Sequence, residues 1–349
     1  MPIRFLAPLS LGMTLASAAM ADAPRVATDI APVQSLVARV MQGVGEPDVI
    51  VRSGASPHGY AMRPSEAAAL EEADLVFWMG EGLTPWLEGA IDALASEAHA
   101  VELLGAAGSR VLPFREGVAF EAHADHGHED HGHEDNDHED HGHEDHGHED
   151  KGHEDHAEAH DHDHDHDHGH GHDHAHGGAD PHAWLDPANA QAWLGLIAQE
   201  LSEHDPENAM IYAANAETAQ AELQALSEEI KAQLAPVRDV PFLVFHDAYQ
   251  YFETAFDISA AGAISLSDAV APGPARIAAL REMAEARGVT CVFSEPQFDP
   301  KLVETVFGEG VSHGVIDPLG SQLAAGPGHY PQMLRDMAGA MVACVSGAS

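Results

Sequence analysis

The stretch LVFWMGEGLTPWLEGAIDALASEAHAVEL, residues 75–103, decides the architecture. It opens on an unbroken apolar run at 75–79, continues into a helix over 84–95 and closes on a short apolar strand at 100–103. Apolar strands without alternation, separated by helices, belong to parallel sheets covered on both faces. Upstream, the same rhythm predicts a strand at 25–28, a helix at 32–42 with Pro32 at its first position, a strand at 48–51 and a helix at 65–73. A second series lies far downstream. It has strands at 242–245, 258–264, 289–293 and 311–316, with helices at 274–287 and 330–344.

Two helices separate the series, at 187–201 and 207–234. The second holds neither Gly nor Pro and is rich in Ala, Glu, Gln and Leu. At 1.5 Å per residue it spans roughly 40 Å, the width of a domain, which suits a rigid connector. A chain of 349 residues exceeds what one core usually serves. The expected fold is therefore α/β, two lobes with helix-flanked parallel sheets joined by one long helix. The expected division is a signal peptide at 1–21, an N-terminal lobe at 22–204, a connecting helix at 205–236 and a C-terminal lobe at 237–349.

One segment interrupts this pattern. Residues 123–176 are nearly all His, Asp, Glu and Gly, and hold 21 of the 28 histidines. With no aliphatic side chain larger than Ala, the segment cannot bury a core and is expected to be a disordered loop with many weak metal sites. The formal net charge of −43 disfavours nucleic acid and anionic lipid as partners and attracts cations. At the N-terminus, Arg4, the apolar run 5–18 and Ala19-Met20-Ala21 read as a cleaved secretory signal with a mature start near Asp22. Cys291 and Cys344 form an even pair in an exported chain, which suggests a disulfide; the rival reading is thiolate metal ligation.

Outside the His-rich segment seven histidines remain: His58, His99, His182, His204, His246, His313 and His329. His58 follows the strand at 48–51, His246 directly follows FLVF, and Asp317 ends the strand of VSHGVID. Ligands of open α/β sheets bind beyond the carboxyl ends of strands. His182 precedes a helix in DPHAWLDP. His58 and His182 come from the first lobe, His246 and Asp317 from the second, so the lobes together could assemble four ligands. Three imidazoles and a carboxylate suit tetrahedral Zn²⁺. Glu295, also at a strand's carboxyl end, is a candidate hydrogen-bond partner for a ligand histidine; the rival reading is a satisfied surface carboxylate. The tryptophans, His99, His204, His313 and His329 read as packing or surface residues.

DIAPVQSLVARV (29–40), SPHGYAMRPSEAAALEEADLVFW (56–78), DPHAWLDPANA (180–190), FHDAYQYF (245–252), FSEPQF (293–298) and DPLG (317–320) occur in this order. Together they resemble the zinc-uptake solute-binding proteins of bacterial ABC importers, the ZnuA type, over nearly the whole mature chain. The resemblance implies two α/β lobes, a rigid connecting helix and a His-rich loop beside the cleft. It places metal-ligand roles on His58, His182 and His246, with Asp317 ligating directly or standing aside for water. Pro57 occupies a position where some zinc members carry a ligand Glu. Manganese-binding relatives place a carboxylate where His246 stands. Cys291 and Cys344 resemble the disulfide of some members.

The expected function is periplasmic capture of Zn²⁺ by a monomer and its delivery to an ABC permease. Rival readings are a periplasmic zinc buffer and a binder of another divalent metal, Mn or Ni. A zinc hydrolase would need an open coordination position and a general base; HExxH does not occur. We expect no enzymatic activity.

Overall fold

The computed structural model describes residues 23–115, 117, 119–120, 178–265, 273–298, 303 and 306–347. The signal segment 1–21 and the His-rich segment 123–176 lie outside the described residues. The first sheet contains β1 (Val26–Thr28), β2 (Asp48–Val49), β3 (Leu75–Trp78) and β4 (His99–Glu102) in the order β2-β1-β3-β4. The second contains β5 (Phe242–His246), β6 (Gly262–Ser265), β7 (Cys291–Ser294) and β8 (Ser312–Val315) in the equivalent order β6-β5-β7-β8. Every strand pair in both sheets is parallel. The helices are α1 (Ala31–Val40), α2 (Pro64–Glu71), α3 (Leu87–Leu94), α4 (Pro187–His204), α5 (Ala209–Leu234), α6 (Gln250–Phe256), α7 (Pro274–Arg287) and α8 (His329–Val345).

The unbroken apolar strands are buried on both faces, as parallel strands must be. In β3, Leu75 and Phe77 point into the main core, while Val76 and Trp78 point to a smaller cluster with Leu70, Leu87 and Ile91. β5 divides likewise: Phe242 and Val244 face the main core, and Leu243 and Phe245 face a cluster with Leu280 and Val292. The main core runs from the first sheet through α1, α4, α5 and α8 to the second. The two sheets thus share one compact body.

The connector α5 is 26 residues long, about 39 Å at 1.5 Å per residue. Tyr212, Ala216, Ala219, Leu223, Leu226, Ile230 and Leu234 form its buried stripe, at the spacing of a helix with one apolar face. It packs on α1, α4, α6 and α8. The expected break at 204–206 is present, and Asp205 organises it. Its carboxylate accepts hydrogen bonds from Asn208 N–H at 3.3 Å and Tyr212 O–H at 2.7 Å.

The second series differs from expectation in two places. Helix α6, which begins at Gln250 shortly after His246, carries no clear sequence periodicity, and burial of Tyr251, Phe252 and Phe256 is what stabilises it. Asp257 ends α6 in the left-handed region at φ 56°. Residues 258–261 therefore form a connection, and the strand begins only at Gly262.

Cys291 of β7 and Cys344 of α8 are bonded to each other, with Cα atoms 5.9 Å apart. The thiolate-ligand reading falls accordingly. The bond closes a span of 53 residues.

Candidate metal centre

Three strand-end or helix-start loops converge on one point. His58 lies in the loop after β2. Pro57 and Tyr60 flank it and lean on Trp86: the indole N–H donates to the Pro57 carbonyl at 2.8 Å, and the Tyr60 ring lies 5.7 Å from the indole. Tyr60 O–H in turn donates to Glu66 Oε1 at 2.8 Å, on the first turn of α2. Two aromatic contacts and a carboxylate thus immobilise a loop that has no regular structure of its own.

His182 is the residue before a 3-10 turn at Ala183–Leu185, which leads into α4. Asp186 caps α4 by accepting Ala188 N–H at 2.8 Å, and Pro187 occupies the first helical position. The motif DPHAWLDP is therefore a capped helix start whose turn projects the imidazole. His246 is the last residue of β5.

His58, His182 and His246 each offer a ring nitrogen, and the three atoms lie within 4.8 Å of one another. His58 is half-buried; His182 and His246 are buried. Ring centroids are 5.7 Å apart for His58 and His182 and 5.2 Å for His182 and His246. The Nε2 atoms of His182 and His246 are 3.3 Å apart. Two nitrogens bound to a tetrahedral zinc at 2.0–2.1 Å would themselves be about 3.3 Å apart.

The opposite nitrogens of these two rings face carboxylates. His182 Nδ1 lies 2.7 Å from Asp180 Oδ1, which also accepts the His182 backbone N–H at 3.0 Å. His246 Nδ1 lies 2.5 Å from Glu295 Oε1, at the end of β7. A carboxylate on Nδ1 assigns the proton there and turns the Nε2 lone pair toward the centre. Two lone pairs 3.3 Å apart repel, and a cation between them removes the repulsion. Glu295 thus takes the position expected for it. Asp180 was missed, although it stands two residues before His182 in a motif already singled out.

Asp317 is not among the described groups whose ligand atoms converge within 4.8 Å. Its carboxylate accepts hydrogen bonds from Leu319 N at 3.1 Å, Ser321 N at 2.6 Å and Ser321 Oγ at 2.6 Å. The turn carrying it is tied to the centre. Trp184 Nε1 donates to the Pro318 carbonyl at 2.8 Å, and His329 Nε2 donates to the Leu319 carbonyl at 2.9 Å. Gly320 closes the turn at φ 61°, where a Cβ would stand 2.7 Å from His329 Nε2. His329, which the sequence left as a packing residue, is the strut beneath Asp317. Of the four tryptophans, Trp78, Trp184 and Trp193 are buried and Trp86 is half-buried.

A charged cluster sits behind His246. Arg115 donates to Asp247 and Glu253, with Nη1 2.7 Å from Glu253 Oε2 and Nε 3.0 Å from Asp247 Oδ1. Its guanidinium lies 3.8 Å over the Phe120 ring. Burial opposes the charge on Arg115, but Glu253 and Asp247 outweigh it and hold the proton more firmly than usual. Burial lifts Asp247 to about 6 against the pull of Arg115, and lifts Asp180 to about 7. The Tyr249 hydroxyl is buried beside Glu295; burial, then the Glu295 carboxylate and the charge of Asp317, push its pKa up. Carboxyl groups beside a cluster of imidazoles favour a dication over an anion at the centre.

Paired parallel sheets sharing a core, with three converging imidazoles of which two are carboxylate-backed, define a metal-binding member of the solute-binding class. The chain belongs to the ZnuA family, zinc-uptake complex component A, periplasmic, whose model matches residues 26–344. It is 48% identical over 343 residues to the high-affinity zinc uptake system protein ZnuA of Brucella suis biovar 1 (strain 1330), covering 98% of each chain. It is 45% identical over 334 residues to the protein of the same description from Paracoccus denitrificans (strain Pd 1222), covering 95% of each. Among solved structures, a zinc-bound 138–173 deletion mutant of ZnuA superposes with a TM-score of 0.66 at 23% identity, covering 93% of this chain and 98% of that one. At that identity the likeness speaks for the fold.

Proposed function

We propose that this chain captures Zn²⁺ in the periplasm through His58, His182 and His246 and delivers it as a monomer to the permease of an ABC importer. The observation that carries the reading is the convergence of three imidazoles, two of them oriented by buried carboxylates. Nitrogen donors in tetrahedral disposition favour zinc over manganese or calcium, which take more oxygen. The fourth position belongs to water, with Asp317 beside it as a carboxylate already engaged by three donors. The lobes are residues 22–204 and 237–349, joined by the helix at 205–236. The continuous core through α5 resists wide opening, so release proceeds by small shifts of the ligand-bearing loops. The chain acts as a binding component and carries out no hydrolysis.

Calorimetric titration tests this directly. Wild-type protein shows one tight zinc event that manganese and nickel do not displace at equal concentration. His58→Ala, His182→Ala and His246→Ala each weaken it by at least about 10-fold, and Asp317→Asn weakens it less. Wild-type affinity in any of the three histidine variants refutes the assignment of that ligand.

A further inference from the structure

A second group of metal-ligating side chains lies at the other end of α4. His99, the first residue of β4, places Nε2 3.1 Å from Glu200 Oε2. His204, the last residue of α4, stands four positions after Glu200, on the same helix face. The His99 and His204 ring centroids are 5.6 Å apart, between the 5.2 and 5.7 Å of the two ring pairs in the deep cluster. His99 and His204 are exposed and Glu200 is half-buried, so the group opens to solvent. Eighteen residues of α4, about 27 Å of helix, separate it from the turn that carries His182.

We propose that His99, Glu200 and His204 form a second, surface site for Zn²⁺, distinct from the deep cluster and independent of its role. Two imidazoles and one carboxylate are a three-residue donor set for a borderline dication, with water completing the coordination. Glu200 performs two tasks there. It holds His99 in reach of His204 before metal arrives, and it supplies negative charge once the ion is bound. As they stand, the three ligand atoms do not all fall within 4.8 Å of one another, unlike those of the deep cluster. Side-chain rotation of exposed residues must precede binding, and no carboxylate at hydrogen-bond distance backs either ring among the contacts described, apart from the displaced Glu200 pair. The site is therefore weaker than the deep one and fills after it. Bound zinc there would staple the edge strand β4 to the end of α4.

Histidine-resolved carbethoxylation of the full-length protein, read by peptide mass spectrometry during a zinc titration, tests the site. Metal-bound imidazole nitrogen does not react. His99 and His204 lose reactivity together, by about tenfold at a zinc concentration ten times the dissociation constant, after half-buried His58 is already protected. His204→Ala abolishes zinc protection of His99, and Glu200→Gln shifts it to higher zinc. Two results overturn the proposal: His99 reactivity unchanged by zinc that protects the histidines of 123–176, or full protection of His99 in His204→Ala. Failure of protection at His58 alone would instead strike the deep cluster and leave this site standing.

Discussion

Glu295 Oε1 lies 2.5 Å from His246 Nδ1, across the paired strands β5 and β7. The contact is buried, and Gln297 Nε2 donates to the other carboxylate oxygen at 2.6 Å. A parallel sheet brings residues 49 positions apart into register, so the ring nitrogen that His246 turns toward His182 is chosen by a neighbouring strand.

Replacing Glu295 by Gln removes the negative charge and lets the ring adopt either tautomer. Zinc affinity falls by about 10–100-fold, the usual effect of losing a carboxylate behind a ligand histidine. Competition with a chelating dye measures it. Asp180→Asn has the same direction of effect through His182.

Arg115 is the sole described cation hydrogen-bonded to Asp247 and Glu253, and the Glu253 side chain is fully buried. Arg115→Ala strands two buried carboxylates and destabilises the protein by about 3–5 kcal/mol. Urea unfolding gives the value. Arg115→Lys recovers part of it, because an ammonium keeps the charge but loses the two-pronged geometry.

Breaking the Cys291–Cys344 bond frees a span of 53 residues in the unfolded chain. The double variant Cys291→Ala/Cys344→Ala loses about 4 kcal/mol of stability in the chain-entropy model. Its zinc affinity stays near wild type, since neither residue faces the imidazoles. A large loss of affinity at unchanged stability would contradict this.

Asp29 is fully buried at the end of β1, where it accepts N–H groups of Ile30 and Met79, each at 2.7 Å. Burial lifts its pKa from 3.8 to about 7. A raised carboxyl pKa means the folded protein keeps a proton that the unfolded chain has released. The associated stability is complete below about pH 4 and declines as pH rises to about 7. Asp29→Asn cannot titrate, so its thermal unfolding midpoint drops less than that of wild type between pH 4 and pH 7. Parallel pH profiles would contradict the burial argument.

Removing residues 123–176 leaves the tight zinc event in place, because His58, His182 and His246 all lie outside that segment. The weak events at higher zinc diminish. Calorimetry of the shortened chain separates the two, and loss of the tight event would mean that the segment supplies a ligand.

Much of this protein was legible in the linear chain. Uninterrupted apolar runs at 75–78 and 242–245 dictate buried parallel strands, because only a strand covered on both faces tolerates no polar alternation. The Pro and Asp around His182 and the strand end at His246 mark loops that can present ligands. Tertiary structure alone decided the rest. It added Asp180 as a second orienting carboxylate and fixed Glu295 on His246, made His329 the support of the Asp317 turn, and paired Arg115 with Asp247 and Glu253. It also joined His99 to Glu200 across 101 positions of sequence. Helix α6 formed where no periodicity announced it, since its stability comes from burying Tyr251, Phe252 and Phe256. The physical reason is one of range. Burial preference is written locally, residue by residue, whereas the partner of a polar atom is whichever group the packed core brings within about 3 Å.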